Sequence, residues 1–352
     1  MREAHRYIGV QASTGYDISP AAEWLLDNFH LIEAQLKEIH EGLPRSYFRT
    51  LPVLQDEPLA GLPRVYGVAW AFVAHTDGAF DEELMVHFLA AYQERRALTL
   101  AEMWALPTTL RVVLVENLRR LAERVATNKA ARAVANLCSD AIDKYSPATL
   151  DALLALLNQR GVGLVFLAHM AQRLQGRRTA ATGGAQDPVL EWLARVLPDA
   201  AAVQTRQPSD QAADNLSVSN AVTSLRTIGD ADWPDIIART STLMRLLLTS
   251  PMFQAEHVAT RDQTLHAIER LARACGRSET EVGQTLLTLM RPCTERGDPV
   301  AVASHWLRGA GRPQLLRALG LHEHPGFALQ AALRRVALQP TWAPCFWEPR
   351  AW

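Results

Sequence analysis

The sequence predicts an all-α protein, an irregular bundle of roughly a dozen helices arranged as hairpins. Three observations carry that prediction. Apolar residues recur at three- and four-residue spacing along most of the chain. Ser-Pro, Ser-x-x-Glu and Thr-x-x-Glu starts precede several of these stretches. Glycine or proline follows many of them as a stop. No fixed repeat length emerges, which argues against a regular solenoid.

Taken in order, Ser19 and Pro20 make an N-cap with the favoured first-turn proline. Leu25, Phe29, Ile32, Leu36 and Ile39 follow as one apolar stripe, stopped by Gly42 with Pro44 just beyond. Glu33, Lys37, Glu38 and Glu41 read as its solvated face. The run at 65–74 is apolar nearly all round and carries alanines, so it reads as a central buried helix rather than a strand. Asp81, Glu82 and Glu83 start another helix through Leu84, Phe88 and Tyr92. Thr99-x-x-Glu102 is a capping box, with Leu98 and Met103 as its hydrophobic staple. Pro107 should break that short helix, and a longer one follows with Leu110, Val113, Leu114, Leu118, Leu121 and Val125 inward. Ser146-Pro147 opens the next, and 162–174 continues the pattern.

These elements group into a first helical subdomain at 1–175, a linker at 176–188 and a second helical subdomain at 189–320. The linker lies in QGRRTAATGGAQDP; beyond it, helices are expected near 189–206, 210–228, 235–249, 260–275 and 279–290. Gly276 ends one of these, and Ser278-x-x-Glu281 caps the next. Residues 321–352 read as an irregular tail. Its end, TWAPCFWEPRAW, holds three of the nine tryptophans, whose flat faces suit sugar rings; an unpacked terminus is the plainer reading.

At 352 residues the chain can bury a sizeable core in one large or two ordinary domains. Its 48% hydrophobic and 21% charged content is ordinary for a soluble protein. Thirty-six basic residues against 37 acidic leave no basic excess, so nucleic-acid binding has no support. Cys138, Cys275, Cys293 and Cys345 form no CxxC and read as reduced thiols. The N-terminal MREAHRYIGVQ lacks a signal-peptide core, and the longest apolar run is about half the ~20 residues of a membrane span. The expectation is a cytoplasmic chain with no transmembrane segment, peripheral at the inner membrane at most.

Catalytic signatures are incomplete. Asp230-Ala-Asp232 has the spacing to chelate a nucleotide-bound metal, but before Trp233-Pro234 it reads as a helix cap. Gly161-Val-Gly163, Gly183-Gly184 and Gly309-Ala-Gly311 lack the continuation of a phosphate loop. His322-Glu323-His324 makes no closed metal set, and HExxH and GxSxG are absent. No catalytic residue, metal ligand or cofactor is therefore assigned, and whether the chain is an enzyme stays open.

What remains is a set of polar groups inside or beside apolar runs. His75 and Asp77 end the 65–74 helix, where an Asp–His pair would fix the ring tautomer. Arg111, Glu116, Asn117, Arg119 and Arg120 share a helix; Glu116 and Arg120 can pair directly, Arg111 and Glu116 only partly share a face. Asn215, Asn220 and Arg226 sit on another. Such residues avoid helix interiors unless they bond something. A hydrogen-bond network between helices is the reading favoured by the residues alone. The alternative is a ligand or docking surface formed by Trp70, His75, Asp77, Arg111, Glu116, Asn117, Asn215, Asn220 and Arg226.

Five blocks carry a resemblance: ISPAAEWLLDNFHLIEAQLKEI (18–39), PRVYGVAWAFVAHTDGAFDEEL (63–84), LRVVLVENLRRLAE (110–123), NLSVSNAVTSLR (215–226) and ATRDQTLHAIERLAR (259–273). In these the chain resembles the N-terminal region of the cyclic beta-1,2-glucan synthases, bacterial membrane glycosyltransferases. The resemblance implies a helical region that precedes a membrane-embedded synthase using UDP-glucose, a cyclising domain and a phosphorylase-like domain. Those later parts have no counterpart here: Gln314-Leu-Leu-Arg317 is followed by Ala318 instead of the tryptophan of a Gln-x-x-Arg-Trp motif. The expectation is a cytosolic module that scaffolds or regulates the synthase. Its partner would be the membrane-embedded synthase domain, with beta-1,2-glucan as a further candidate ligand. The segments 66–77 and 111–120 would form the docking or sensing surface. A runner-up is a free-standing carbohydrate-binding or glucan-hydrolysing helical domain with Glu116, Asp77, Trp70 and Trp104 in a cleft. A third reading is the inactive remnant of a truncated gene.

Overall fold

A computed structural model of the chain describes residues 1–13, 19–42, 45–180, 188–298 and 300–321. Among these the protein is all-α, with one isolated antiparallel bridge between Val53 and Pro63 and no sheet. It divides into two compact units, one formed by 1–91 with 101–236, the other by 92–100 with the chain from 237 on. That division falls inside the segment expected as the second subdomain. The expected linker is helical as far as Ala180, and 181–187 lie outside the described residues. So do His322-Glu323-His324 and the tryptophan-rich end.

The first unit contains α1 (Arg2–Ser13), α2 (Pro20–Asp27), α3 (Phe29–Gly42), α4 (Arg45–Phe48), α5 (Arg64–His75), most of α6 (Glu82–Arg95), and nearly all of α7 (Leu100–Asp140). It continues with α8 (Pro147–Gln159), α9 (Gly163–Ala180), α10 (Pro188–Val196), α11 (Ala200–Asp230) and the start of α12 (Trp233–Thr240). The second unit holds the rest of α12, α13 (Thr242–Leu247), α14 (Pro251–Gln254), α15 (Val258–Cys275), α16 (Glu279–Arg296), α17 (Ala303–Leu307) and α18 (Arg312–Ala318).

Local chemistry sets most boundaries. The hydroxyls of Ser19, Ser146 and Ser278 accept the N–H groups of Ala22, Thr149 and Glu281, and the Ser278–Glu281 box is complete. Gly276 and Gly297 end their helices in the left-handed region, where a Cβ is penalised. Asp232 accepts from Asp235 N–H at 3.0 Å, so the DxD is a helix cap, as its sequence context suggested.

Three expectations are overturned by packing. The 19–42 stripe is broken at Asn28, whose side-chain amide donates to Trp24 O at 2.9 Å. On α3 the register then buries Gln35 and leaves Leu36 45% exposed, the reverse of the stripe. Pro107 does not break its helix, which runs for 41 residues. An internal proline costs about 3 kcal/mol, but Met103, Ala105, Leu106 and Leu110 around it are all at most 1% exposed. Burying such side chains returns about 1.5–3 kcal/mol each for the larger ones. The helix expected at 235–249 is divided at Ser241, whose hydroxyl caps α13.

In the first unit one core joins the second half of α7 to α8, α9 and α10 through Ala131, Ala135, Leu150, Phe166, Met170 and Trp192. Elsewhere Phe72 meets Phe88 and Phe80 edge-on, at ring-centre distances of 5.4 and 6.3 Å. Arg64 and Glu102 form a buried, two-pronged ion pair between α5 and α7. In the second unit α16 packs against α13, α15, α17 and α18. The segment 92–100 is tied to that unit by Gln93, which donates to Thr240 O at 2.8 Å, and by Leu100 N–H, which donates to the Glu279 carboxylate at 2.8 Å.

Candidate functional site

Every side chain of the expected set lies in the first unit, and α11 organises four of the nine. Ser217, Asn220 and Ser224 recur at three- and four-residue spacing and so share one face of α11. That face grips the turn between α5 and α6. The Ser217 hydroxyl donates to the Asp77 carboxylate at 2.6 Å, and Asn220 donates to Asp77 O at 3.2 Å. Ser224 donates to Gly78 O and accepts from Phe80 N–H, both at 2.7 Å. The turn needs this support, because Asp77 has φ +50° and Gly78 φ +76°.

The same helix holds both ends of α2. Asn215 Oδ1 accepts from Ala21 N–H at 2.9 Å, in the first turn. Arg226 donates to Asn28 Oδ1 at 2.6 Å, at the last. Asp77, Asn215, Asn220 and Arg226 thus have internal partners, as a network between helices requires.

The expected His75–Asp77 pair does not form. His75 is exposed, and its Nδ1–H donates to Ala71 O at 2.7 Å, which sets the tautomer from within its own helix. Trp70, on the same helix, is 44% exposed.

Along α7 the outcome is mixed. Glu116 pairs with Arg120 at 2.8 Å as the spacing predicted, and Arg119 grips the same carboxylate with two nitrogens, at 2.7 and 2.9 Å. The Arg119 hydrogen bond is the main cause that holds Glu116 down at a pKa of about 2. Arg111 lies away from this cluster and faces α3, with Nε 3.9 Å from Glu38 Oε2. Burial lowers its pKa, opposed by Glu38. Its Nε and the Oε1 of Gln35 are buried without hydrogen-bond partners. Asn117, next to Glu116 in the sequence, is half-buried.

A concave feature of the unit lies elsewhere. A groove of about 980 Å³ runs between the second half of α7, α9 and α11, with the start of α2 at one side. From α7 it takes Asn128, Arg132, Asn136 and Asp140, spaced four apart on one face, with Leu137 beside them. His169 and Arg173 come from α9, and Asp210, Gln211, Asp214 and Asn215 from α11. Arg173 is paired with Asp140, and Arg124 with Asp214. His169 Nε2–H donates to Asn136 Oδ1 at 2.9 Å. Burial, then the positive charges of Arg132 and Arg173, push the His169 pKa down. Burial raises that of Asp214, against the pull of Arg124.

Of the expected residues only Asn215 lines this groove; Trp70, Asp77, Trp104 and Glu116 do not. The apolar face of α7, which the sequence marks as far as Val125, carries no sign of this groove. The polar ladder at 128, 132, 136 and 140 was the signal available. Among the described residues no group of three or more His, Cys, Asp or Glu is placed to hold a metal, and no helix is long and apolar enough to cross a membrane.

No family model matches the chain. It is 31% identical over 291 residues, 81% of its length, to the cyclic beta-(1,2)-glucan synthase NdvB of Rhizobium meliloti (strain 1021). The chain spans about a tenth of that protein's length. The resemblance carried by the five sequence blocks is therefore borne out as relatedness to one stretch of a glucan synthase.

Proposed function

We propose that this chain, a relative of part of a cyclic beta-1,2-glucan synthase, is a cytoplasmic helical module that docks on the membrane-embedded synthase and scaffolds or regulates it. The observation that carries the reading is the identity across 81% of the chain to a protein ten times its matched share. Polymerisation from UDP-glucose is left to the synthase partner. Two features support a non-catalytic role. Glu116, the acid nearest to a catalytic candidate, is neutralised by two guanidinium groups and stays ionised far below neutral pH, so it holds no proton to donate. The DxD is used as a helix cap.

For the docking face, α5 offers Trp70, a large aromatic side chain left 44% exposed, of the kind that anchors interfaces. The test supplies the chain in trans to membranes bearing a synthase deleted for the related stretch. The readouts are co-purification after detergent extraction and transfer of label from UDP-glucose into beta-1,2-glucan. The reading expects co-purification and a rise in incorporation, both lost with Trp70→Ala in a chain of unchanged circular dichroism. No co-purification and no change in incorporation would sink it.

A further inference from the structure

We propose that the groove between α7, α9 and α11 binds a neutral, hydroxyl-rich ligand, an oligosaccharide of several sugar residues. Its volume, about 980 Å³, is at the upper end for a small-molecule site, so it suits a chain of rings better than a single one. The lining sets the ligand's charge. Lys129, Arg132 and Arg173 are matched by Asp140, Asp210 and Asp214, so a phosphate-bearing or polycationic ligand meets as much repulsion as attraction. The start of α2 borders the groove, but the Ala21 N–H there is already taken by Asn215 and that of Ala22 by the Ser19 cap. No helix terminus is left to hold a phosphate at that edge. The lowered pKa of His169 keeps the imidazole neutral at physiological pH and preserves this balance.

Available hydrogen-bonding groups complete the case. The side chains of Asn128, Arg132 and Gln211 enter no hydrogen bond or ion pair among the described residues. Their planar amides and guanidinium offer adjacent donors and acceptors, the pattern that vicinal hydroxyls satisfy. Leu137, 67% exposed, and Val165 add apolar surface for the C–H face of a ring. The ligand class comes from this lining; the relationship to a glucan synthase supplies only the probe.

The purified full chain is titrated calorimetrically with linear beta-1,2-glucan oligosaccharides, and separately with UDP-glucose and inorganic phosphate. Saturable heat is expected with the glucan and none with phosphate. Arg132→Ala and Gln211→Ala should each weaken glucan binding, the former about tenfold or more, with unchanged thermal unfolding. Absence of glucan heat, binding untouched by both variants, or tighter binding of UDP-glucose than of glucan would each overturn the proposal. Both variants should still co-purify with the synthase, so loss of sugar binding and failure of the docking reading give separate results.

Discussion

The Arg64–Glu102 pair offers the sharpest test of how the first unit is held together. Arg64 opens α5 and Glu102 lies in the first turn of α7, with side chains 8% and 0% exposed. Arg64 Nε donates to Oε1 at 2.7 Å and a second guanidinium nitrogen donates to Oε2. Glu102→Gln keeps the shape and removes the negative charge that the buried Arg64 guanidinium contacts with two nitrogens. Breaking a buried pair from one side costs about 3–5 kcal/mol, whereas replacing both partners with apolar groups is often neutral or better. Urea unfolding followed by far-UV circular dichroism would read the effect. With a slope of roughly 2–3 kcal/mol per molar urea, the midpoint should fall by about 1–2.5 M. The double variant Arg64→Met, Glu102→Leu should recover most of that loss. A single variant that moves the midpoint by under about 0.3 M, or a double no better than the single, would refute the reasoning.

At the α5–α6 turn, Asp77→Ala should cost about 1–3 kcal/mol, through left-handed strain and the lost Ser217 bond. Asp77→Gly should cost less, because glycine adopts φ +50° freely; equal midpoints in urea would contradict this. Glu116 titrates lower in the folded chain than its ordinary value near 4.3. Its contribution to stability is therefore complete above about pH 4.3 and lost as the pH falls toward about 2. Glu116→Gln should flatten that part of a melting-temperature profile, by a modest amount because the cluster is partly exposed. For His169, depressed below about 6.5, stability is present above that pH and lost as the pH drops. An NMR titration should place its midpoint below 6.5, and Arg132→Ala should raise it without restoring it fully, since burial is the larger cause.

What the sequence disclosed follows the range of the interactions. Caps at Ser19, Ser146 and Ser278 are written within four residues, and all three form. The continuity of α7 through Pro107 is set by neighbours packing on Leu106 and Leu110, which no local signal reports. The polar residues at 77, 215, 220 and 226 all have hydrogen-bond partners. Their identities depend on contacts such as Ser217 to Asp77, 140 positions apart. The expected His75–Asp77 pair failed because a helix-end imidazole finds the carbonyl four residues back before it finds a carboxylate. The groove escaped because it is assembled from faces of separate helices, only one of which, on α7, shows a periodic polar ladder.

The discontinuity of the second unit has a consequence in time. During synthesis residues 92–100 leave the ribosome well before residue 237, on the order of ten seconds earlier at ordinary elongation rates. Until then Gln93 lacks the Thr240 carbonyl and the Leu100 N–H lacks the Glu279 carboxylate. The second unit is therefore completed only after nearly all of the first has been made. A fragment started at Ile237 for separate expression would omit both tethers, so it should be less stable than the same residues in the whole chain. Supplying 92–100 as a fused leader is the way to restore them.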